Sequence, residues 1–145
     1  MTETEMTITP AEWEVMRIVW TLDQTTSTEL IDALAEKMGW SASTTKTLIS
    51  RLVKKNALSA TRNGRSYQYA ANIVEQDTID SQAATLFDET CAMHHGQMLL
   101  DNFDRIQLSQ GDIDQLVTKL TERQKTAPVE VDCNCMPNMK GSCDE

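Results

Sequence analysis

The sequence contains no apolar run that approaches the roughly 20 residues required for a membrane-spanning helix. Its first ten residues, MTETEMTITP, are polar and acidic, and they do not resemble a secretory signal peptide. We therefore expect a cytosolic protein that does not enter the membrane. Thiols stay reduced in the cytosol, so a cysteine cluster there is more often a metal-binding or redox site than a structural disulfide.

The sequence also lacks the signatures of an enzyme. It contains no phosphate-binding glycine loop, and no nucleophile is organised with a base, since Cys91 and its neighbouring histidines form no evident catalytic pair. We expect no catalytic activity. The 145 residues, 40% hydrophobic and 24% charged, are typical of one soluble domain or of a small domain with an appendage.

Acidic residues are missing from the middle of the chain. The formal net charge is −9, yet residues 1–72 hold eight basic and eight acidic residues, while residues 73–145 hold five and fourteen. No Asp or Glu lies between Glu36 and Glu75. This stretch includes Lys46, Arg51, Lys54, Lys55, Arg62 and Arg65. Salt screens distant charges within about 10 Å, so a local basic patch can bind an anionic partner. A solvated surface without function is the alternative.

Local signals predict three helices near the start of the chain. In ITPAEWEVMRIVW, Thr9 is the expected N-cap, Pro10 the first helical residue and Glu12 the closing residue of a capping box. A second helix is predicted from Thr26 to about Met38, where Gly39 ends it. A third lies in WSASTTKTLISRLVKKNAL. Its expected inner face is Leu48, Ile49, Leu52 and Val53, and its outer face is Lys46, Thr47, Ser50, Arg51 and Lys54.

A β-hairpin is predicted after the third helix. Asn63-Gly64 between two strand-like runs indicates a type I′ turn, which needs positive φ at both residues. Tyr67 and Tyr69, two positions apart, are expected to pack together on the helices. Three helices and a basic hairpin predict a winged helix-turn-helix, whose third helix fits the major groove of DNA. A winged helix used for protein contacts is the alternative.

Three segments, TPAEWEVMRIVW, TKTLISRLVKK and NGRSYQY, resemble the penicillinase repressor family, which includes the β-lactamase repressors and copper-responsive repressors such as CopY. The resemblance covers roughly residues 6–125. It implies a homodimer that binds palindromic operator DNA and represses the adjacent genes. On this basis the candidate DNA contacts are Ser43, Thr44, Lys46, Thr47 and Arg51 on the third helix, and Arg62 and Arg65 on the wing.

The fold class expected for the whole chain is mainly α with a small β-hairpin. We expect a DNA-binding domain at residues 1–72, a helical dimerisation region at 73–126 and a Cys-rich metal-binding tail at 127–145. The dimerisation region carries apolar residues at helical spacing: Ile79, Ala83, Leu86, Phe87, Leu99, Leu100, Phe103, Ile106, Ile113, Leu116, Val117 and Leu120. A second copy of the chain would cover these stripes and match a two-fold operator. One larger monomeric domain is the alternative.

Three cysteines lie in the C-terminal segment VDCNCMPNMKGSC. Cys133 and Cys135 are separated by one residue, so both thiolates can reach one small cation, whereas a disulfide between them would be strained. Cys143 follows a segment with Pro137 and Gly141, which favour a turn back. Thiolates select Cu(I) and Zn(II) over hard cations. We predict a metal site at Cys133, Cys135 and Cys143, with unused thiols as the alternative.

The copper-responsive members of the family end in CxC, four residues and a second CxC. The resemblance implies that zinc on this motif maintains DNA binding, and that Cu(I) replaces zinc and releases copper-export genes from repression. A copper chaperone is the candidate metal donor. Here seven residues separate Cys135 from Cys143, and the last CxC is reduced to CDE. Zinc usually takes four ligands. Asp144 as a fourth ligand, Met136 and Met139 as soft ligands for Cu(I), and six thiolates pooled by two tails remain alternatives.

Two further features belong to the predicted dimerisation region. Cys91, His94 and His95 form a second candidate metal constellation, since Cys91 and His95 are an i, i+4 pair if helical. A lone cysteine on an amphipathic helix is more often a small buried hydrophobe, and this interpretation is favoured. Asn102-Phe103 resembles the bond cleaved in the β-lactamase repressors. Inactivation by proteolysis is therefore an alternative, although the cleaved members lack a cysteine tail. A cytosolic metal buffer, which would not need residues 1–72, is a further alternative.

Overall fold

The computed structural model describes residues 7–138 and 141–142. In chain order it contains α1 (Pro10–Leu22), β1 (Gln24–Thr26), α2 (Ser27–Met38), α3 (Ala42–Lys54), β2 (Leu58–Asn63), β3 (Ser66–Ala71), α4 (Glu75–Glu89), α5 (His95–Phe103) and α6 (Gln110–Gln124). A short 3-10 helix, Ala92–His94, precedes α5. The chain divides into two units, Met1–Gln82 and Ala83–Glu145. Within the described ranges, no helix has the length and apolar character needed to cross a bilayer.

The helices begin where side chains satisfy their unpaired backbone groups. Thr9 Oγ1 accepts from the Glu12 N–H at 3.2 Å, and Glu12 Oε1 accepts from the Thr9 N–H at 3.0 Å, which closes the predicted capping box of α1. Gly39 ends α2 in the left-handed conformation, with φ of 72°. Ser109 and Asp112 form the second full capping box, at the start of α6. The predicted boundaries at Thr9 and Gly39 are therefore confirmed.

The first unit has an apolar core between its three helices and a small sheet. The fully or nearly buried apolar residues are Ile8, Val15, Met16, Val19, Leu30, Leu34, Leu48, Ile49, Leu52, Ala57 and Leu58. The sheet is antiparallel with strand order β1-β3-β2, so β1 lies on the opposite side of β3 from β2. This architecture confirms the predicted winged helix. Sequence analysis did not predict β1, which pairs Gln24 with Ala70.

The turn of the hairpin differs from the prediction. Asn63 pairs with Ser66, so the two loop residues are Gly64 and Arg65 rather than Asn63 and Gly64. Gly64 has φ of 67°, whereas neither Asn63 nor Arg65 has positive φ, and this is the pattern of a type II′ turn. The predicted type I′ turn is wrong for this reason. Arg65 consequently lies in the turn itself.

The second unit has almost no core of its own. In the described part of residues 83–145, Cys133 is the only buried residue. The large apolar residues from α4 to α6 that remain exposed are Ile79, Leu86, Leu99, Leu100, Ile106, Ile113, Val117 and Leu120. They include most of the apolar residues that the sequence assigned to dimerisation. The predicted domain boundaries at residues 72/73 and 126/127 stay predictions.

Candidate DNA-binding surface and metal centre

One face of α3 packs in the apolar core of the first unit, and the opposite face is exposed. Thr45, Leu48, Ile49 and Leu52 are buried on the inner face. All seven predicted DNA contacts are exposed: Ser43, Thr44, Lys46, Thr47 and Arg51 on α3, Arg62 near the end of β2, and Arg65 in the turn. The structure therefore places these side chains at the surface of one unit, on the helix and on the wing.

The hydroxyl groups at the start of α3 are ordered by hydrogen bonds within the helix. Ser41 is the N-cap, and its Oγ accepts from the Thr44 N–H at 3.3 Å. Thr47 Oγ1 donates to the Ser43 carbonyl at 2.9 Å. The proton of the Thr47 hydroxyl is therefore used inside the helix, and its oxygen can still accept a hydrogen bond.

Some basic residues of the first unit form ion pairs with carboxylates, and others do not. Lys55 Nζ donates to Glu12 Oε1 at 2.7 Å and to the Thr7 carbonyl at 2.8 Å, and Lys37 Nζ lies 2.6 Å from Glu14 Oε2. In contrast, the other basic residues of α3 and the residue in the turn form no ion pair with a carboxylate within residues 7–138 and 141–142. These residues are Lys46, Arg51, Lys54 and Arg65. Their charge remains available to a polyanion.

The Lys55 ion pair has a structural role because its partner is buried. The Glu12 side chain is 0% exposed. Burial by itself raises the pKa of this carboxyl group, but hydrogen bonds from Lys55 and Thr9 outweigh burial and keep the pKa below 4.5. Lys55 thus holds a charged carboxylate at the start of α1 and is not part of the DNA-binding face.

A cluster of three thiols lies in the second unit. The Sγ atoms of Cys91, Cys133 and Cys135 all lie within 4.8 Å of one another. Cys133 is 2% exposed, Cys91 is half-buried and Cys135 is exposed. In the portion of the chain that is described, no histidine or carboxylate belongs to this group. Cys143, the third predicted ligand, lies outside the described residues.

Backbone hydrogen bonds bring the tail cysteines to this position. The Cys133 N–H donates to the Gly141 carbonyl at 2.8 Å, and the Gly141 N–H donates to Asp132 Oδ1 at 3.2 Å. Asn138 and Gly141 both have positive φ, at 63° and 92°. The Ala92 N–H, next to Cys91, donates to Asn134 Oδ1 at 2.9 Å. This contact attaches the tail segment to the start of the 3-10 helix.

The thiols perturb one another. Backbone hydrogen bonds from Met93 and then Asn134, together with the neighbouring thiols, lower the pKa of Cys91 to about 6. The opposite change occurs at Cys135, where the adjacent Cys133 and Cys91 raise the pKa to about 12. One thiolate therefore forms readily, and further ionisation is opposed by repulsion between like charges. A bound cation would relieve that repulsion.

Cys91 is the cluster member that sequence analysis did not assign to the tail site. Cys91 precedes the 3-10 helix and His95 begins α5, so the two residues do not lie on one face of a common helix. His95 Nε2 instead lies 3.0 Å from Thr90 Oγ1, and its ring packs edge-on against Phe87 at 5.1 Å. The sequence carries no local signal for this cluster, because 42 positions separate Cys91 from Cys133.

Comparison with known proteins assigns the family. The sequence profile of the penicillinase repressor matches residues 8–122. The chain belongs to the penicillinase repressor family. This result confirms, at the level of the family, the resemblance carried by the three sequence segments. The family consists of DNA-binding transcriptional repressors and is not a class of enzymes.

The chain is similar to several individual proteins along much of its length. A Latilactobacillus sakei protein, described as an uncharacterized 16.5 kDa protein in the ptsI 3′ region, is 46% identical over 145 residues, which are 100% of this chain and 99% of the relative. The penicillinase repressor of Bacillus licheniformis is 32% identical over 117 residues, 81% of this chain and 91% of the relative. The solution structure of the DNA-binding domain of the repressor BlaI is 36% identical, covering 52% of this chain and 93% of that domain with a TM-score of 0.48.

Proposed function

We propose that the protein is a homodimeric repressor of palindromic operator DNA, released by Cu(I) at the C-terminal cysteines Cys133, Cys135 and Cys143. The observation that carries this proposal is the presence in one chain of a DNA-binding family fold and a thiol cluster. The family match ends at residue 122, and both tail thiols of the cluster lie beyond it. The tail is therefore an addition to the repressor, and its chemistry suits a metal signal.

The DNA-binding step follows from the charge and exposure of the first unit. The exposed helix α3 fits a major groove about 12 Å wide, and its hydroxyl groups and basic side chains contact base edges and phosphates there. The residues proposed for these contacts are Ser43, Thr44, Lys46, Thr47 and Arg51. Arg62 and Arg65 contact phosphates or the minor groove from the wing. The protein acts in the cytoplasm, where it meets its operator.

The homodimer follows from the missing core of the second unit. Leu100 is 60% exposed on α5 and Val117 is 57% exposed on α6. Large apolar side chains that stay exposed on several successive helices indicate a surface that another chain covers. A second copy of the chain is the occupant proposed, because a two-fold dimer places two α3 helices on the two halves of a palindrome.

The metal step follows from the donor atoms. Cys133 and Cys135 supply soft thiolates one residue apart, and such ligands favour Cu(I). The two α3 helices of a dimer must match half-sites about one DNA turn apart, so a small change in the dimerisation region reduces operator affinity. Cu(I) binding would thereby derepress copper-export genes, with a copper chaperone as the proposed metal donor.

A mobility-shift titration tests the proposal. The full chain is bound at fixed salt to a DNA fragment selected from a random pool, under anaerobic reducing conditions. Cu(I) is expected to lower DNA affinity at least tenfold, equivalent to about 1.4 kcal/mol. The triple variant Cys133→Ser, Cys135→Ser, Cys143→Ser should bind the same DNA without metal and should no longer respond. An unchanged affinity with Cu(I), or an equal response of the triple variant, would contradict the proposal.

The same titration with Zn(II) tests zinc as corepressor. If Zn(II) strengthens DNA binding in the absence of Cu(I), the switch consists of the replacement of zinc by copper. A cytosolic metal buffer would bind Cu(I) but would show no selective DNA binding. A repressor regulated by proteolysis would ignore Cu(I) and lose DNA binding only after cleavage at Asn102-Phe103, where α5 ends.

A further inference from the structure

The thiol cluster draws one of its members from outside the tail. Cys91 lies between α4 and α5, whereas Cys133 and Cys135 follow α6. The three sulfur atoms nevertheless lie within 4.8 Å of one another. A spare cysteine that packs as a small hydrophobe would not need this arrangement. Two thiols of one short segment and one thiol 42 positions earlier form a set of donors that converge on a single point.

The distances suit a thiophilic cation. With metal–sulfur bonds of about 2.3 Å, a planar three-thiolate site places its sulfur atoms about 4 Å apart. The observed limit of 4.8 Å therefore requires only a small contraction on binding. Coordination replaces the protons that remain on the thiols, and these protons pass to solvent. No change of metal oxidation state is involved.

Contacts that do not involve sulfur hold the segment in place. Asn134 lies between the two tail cysteines, and its Oδ1 accepts from the Ala92 N–H at 2.9 Å. The Cys133 N–H is bound by the Gly141 carbonyl at 2.8 Å. The donors are thus arranged by the polypeptide itself, which lowers the ordering cost of binding a metal.

We infer that Cys91 is a metal ligand that completes the tail site with Cys133 and Cys135. This inference rests on the proposed function only for the identity of the metal, Cu(I). It deepens that function because a ligand between α4 and α5 connects the metal to the helices that carry the exposed apolar residues Leu86 and Leu99. The metal then acts on the proposed dimerisation surface directly. Cys91 also supplies a thiolate that the shortened tail lacks.

Anaerobic Cu(I) competition against a chromophoric chelator tests the inference on the full chain. Cys91→Ser and Cys133→Ser are each expected to lower Cu(I) affinity at least 100-fold, because each variant lacks one sulfur atom that binds the metal directly. Asn134→Ala should cost about tenfold, since it releases the segment that positions the cysteines. Ala84→Ser, which adds a hydroxyl to an exposed position of α4, is the matched control and should change affinity less than twofold.

A second readout separates ligation from misfolding. X-ray absorption should show one copper–sulfur bond fewer in Cys91→Ser than in the unchanged chain. The metal-free variant should retain its helical circular dichroism and its DNA affinity. Zn(II) is titrated in parallel, and the same loss for zinc would extend the inference to both metals.

Cys143→Ser decides between the two ways of completing the site. Loss of Cu(I) affinity in Cys91→Ser supports the inference. The site then has three thiolates if the single variant Cys143→Ser keeps its affinity, and four if Cys143→Ser also loses affinity. Loss in Cys143→Ser with unchanged affinity and sulfur count in Cys91→Ser overturns it. That result would leave the proposed function standing. Failure of the unchanged chain to bind Cu(I) would instead overturn the proposed function.

Discussion

Neighbouring basic residues have different roles at the scale of single side chains. Lys54 is exposed at the end of α3 and has no carboxylate partner in residues 7–138 and 141–142. The next residue, Lys55, is half-buried and neutralises the fully buried Glu12. Of two lysines at consecutive positions, one is therefore exposed with its charge available to an anionic partner, and the other stabilises the fold.

We expect Lys54→Ala to affect DNA binding and Lys55→Ala to affect stability. Lys54→Ala should leave the free energy of unfolding within about 0.5 kcal/mol of the original value, and should reduce the slope of log affinity against log salt by about 1. Lys55→Ala should lower the free energy of unfolding by about 3 kcal/mol, because it leaves a buried carboxylate without its partner. Urea unfolding and salt-dependent DNA binding measure the two effects.

The pH dependence provides a control for this pair. The hydrogen bonds from Lys55 and Thr9 hold the pKa of Glu12 in the folded chain below that of an ordinary glutamate. The stabilisation is therefore complete above the ordinary pKa and is lost as the pH falls through the lower folded-state pKa. The difference in unfolding free energy between the original chain and Lys55→Ala should therefore become smaller as the pH falls. A difference that stays constant from pH 7 to acid would contradict the structural role of Lys55.

At the scale of elements, the wing depends on one backbone conformation. Gly64 occupies the first position of the turn with φ of 67°, and a Cβ added there would meet nothing within 4 Å. The cost of a side chain therefore comes from the backbone, at about 1–2 kcal/mol for a left-handed residue. The turn holds Arg65, so the conformation of Gly64 also determines where this charge is presented.

Gly64→Ala is expected to destabilise the chain by about 1 kcal/mol and to weaken DNA binding. Gly96 in α5 is the matched control, because it also has open space at the Cβ position but no positive φ. Gly96→Ala should be neutral or should stabilise the chain by up to about 1 kcal/mol, since alanine favours a helix. Chemical denaturation at fixed protein concentration compares the two variants. Equal destabilisation by both would disprove the role of the turn conformation.

At the scale of the whole molecule, the two units differ in how they obtain a core. The first unit buries Met16, Leu30 and Leu52 within itself. The second leaves its helices exposed, which is why a second copy of the chain is proposed as its partner. The candidate DNA-binding surface and the proposed metal site therefore belong to different units, and the proposed dimer is the assembly through which the metal would affect DNA binding.

Val117→Asp is expected to weaken the homodimer at least tenfold, because it places a charge on the exposed apolar face of α6. Operator affinity should fall with it. Val129→Asp is the control, since Val129 is fully exposed outside the helices. Sedimentation equilibrium measures the dissociation constant. An unchanged dimer in Val117→Asp would exclude this face from the interface.

Predictions from sequence succeeded where the deciding interactions are local. The caps at Thr9 and Gly39 depend on residues three or four positions away, and both were placed correctly. The burial of the two tyrosines of β3 was harder to predict. Tyr69 packs against the core, whereas Tyr67, two positions nearer the tip of the hairpin, is 47% exposed. Period two identifies a shared face but not how far the helices extend beneath it.

The sequence by itself determined the start of α1, the extent of α2, the presence of the hairpin, the basic outer face of α3 and the thiol content of the tail. Each depends on neighbouring residues or on residue chemistry alone. Only the tertiary structure decided that β1 joins the sheet, that Lys55 pairs with Glu12 while Lys54 remains exposed, and that Cys91 meets Cys133 and Cys135. These contacts join residues about 40 positions apart, and such pairs leave no periodic or local signal because they form only when the chain folds.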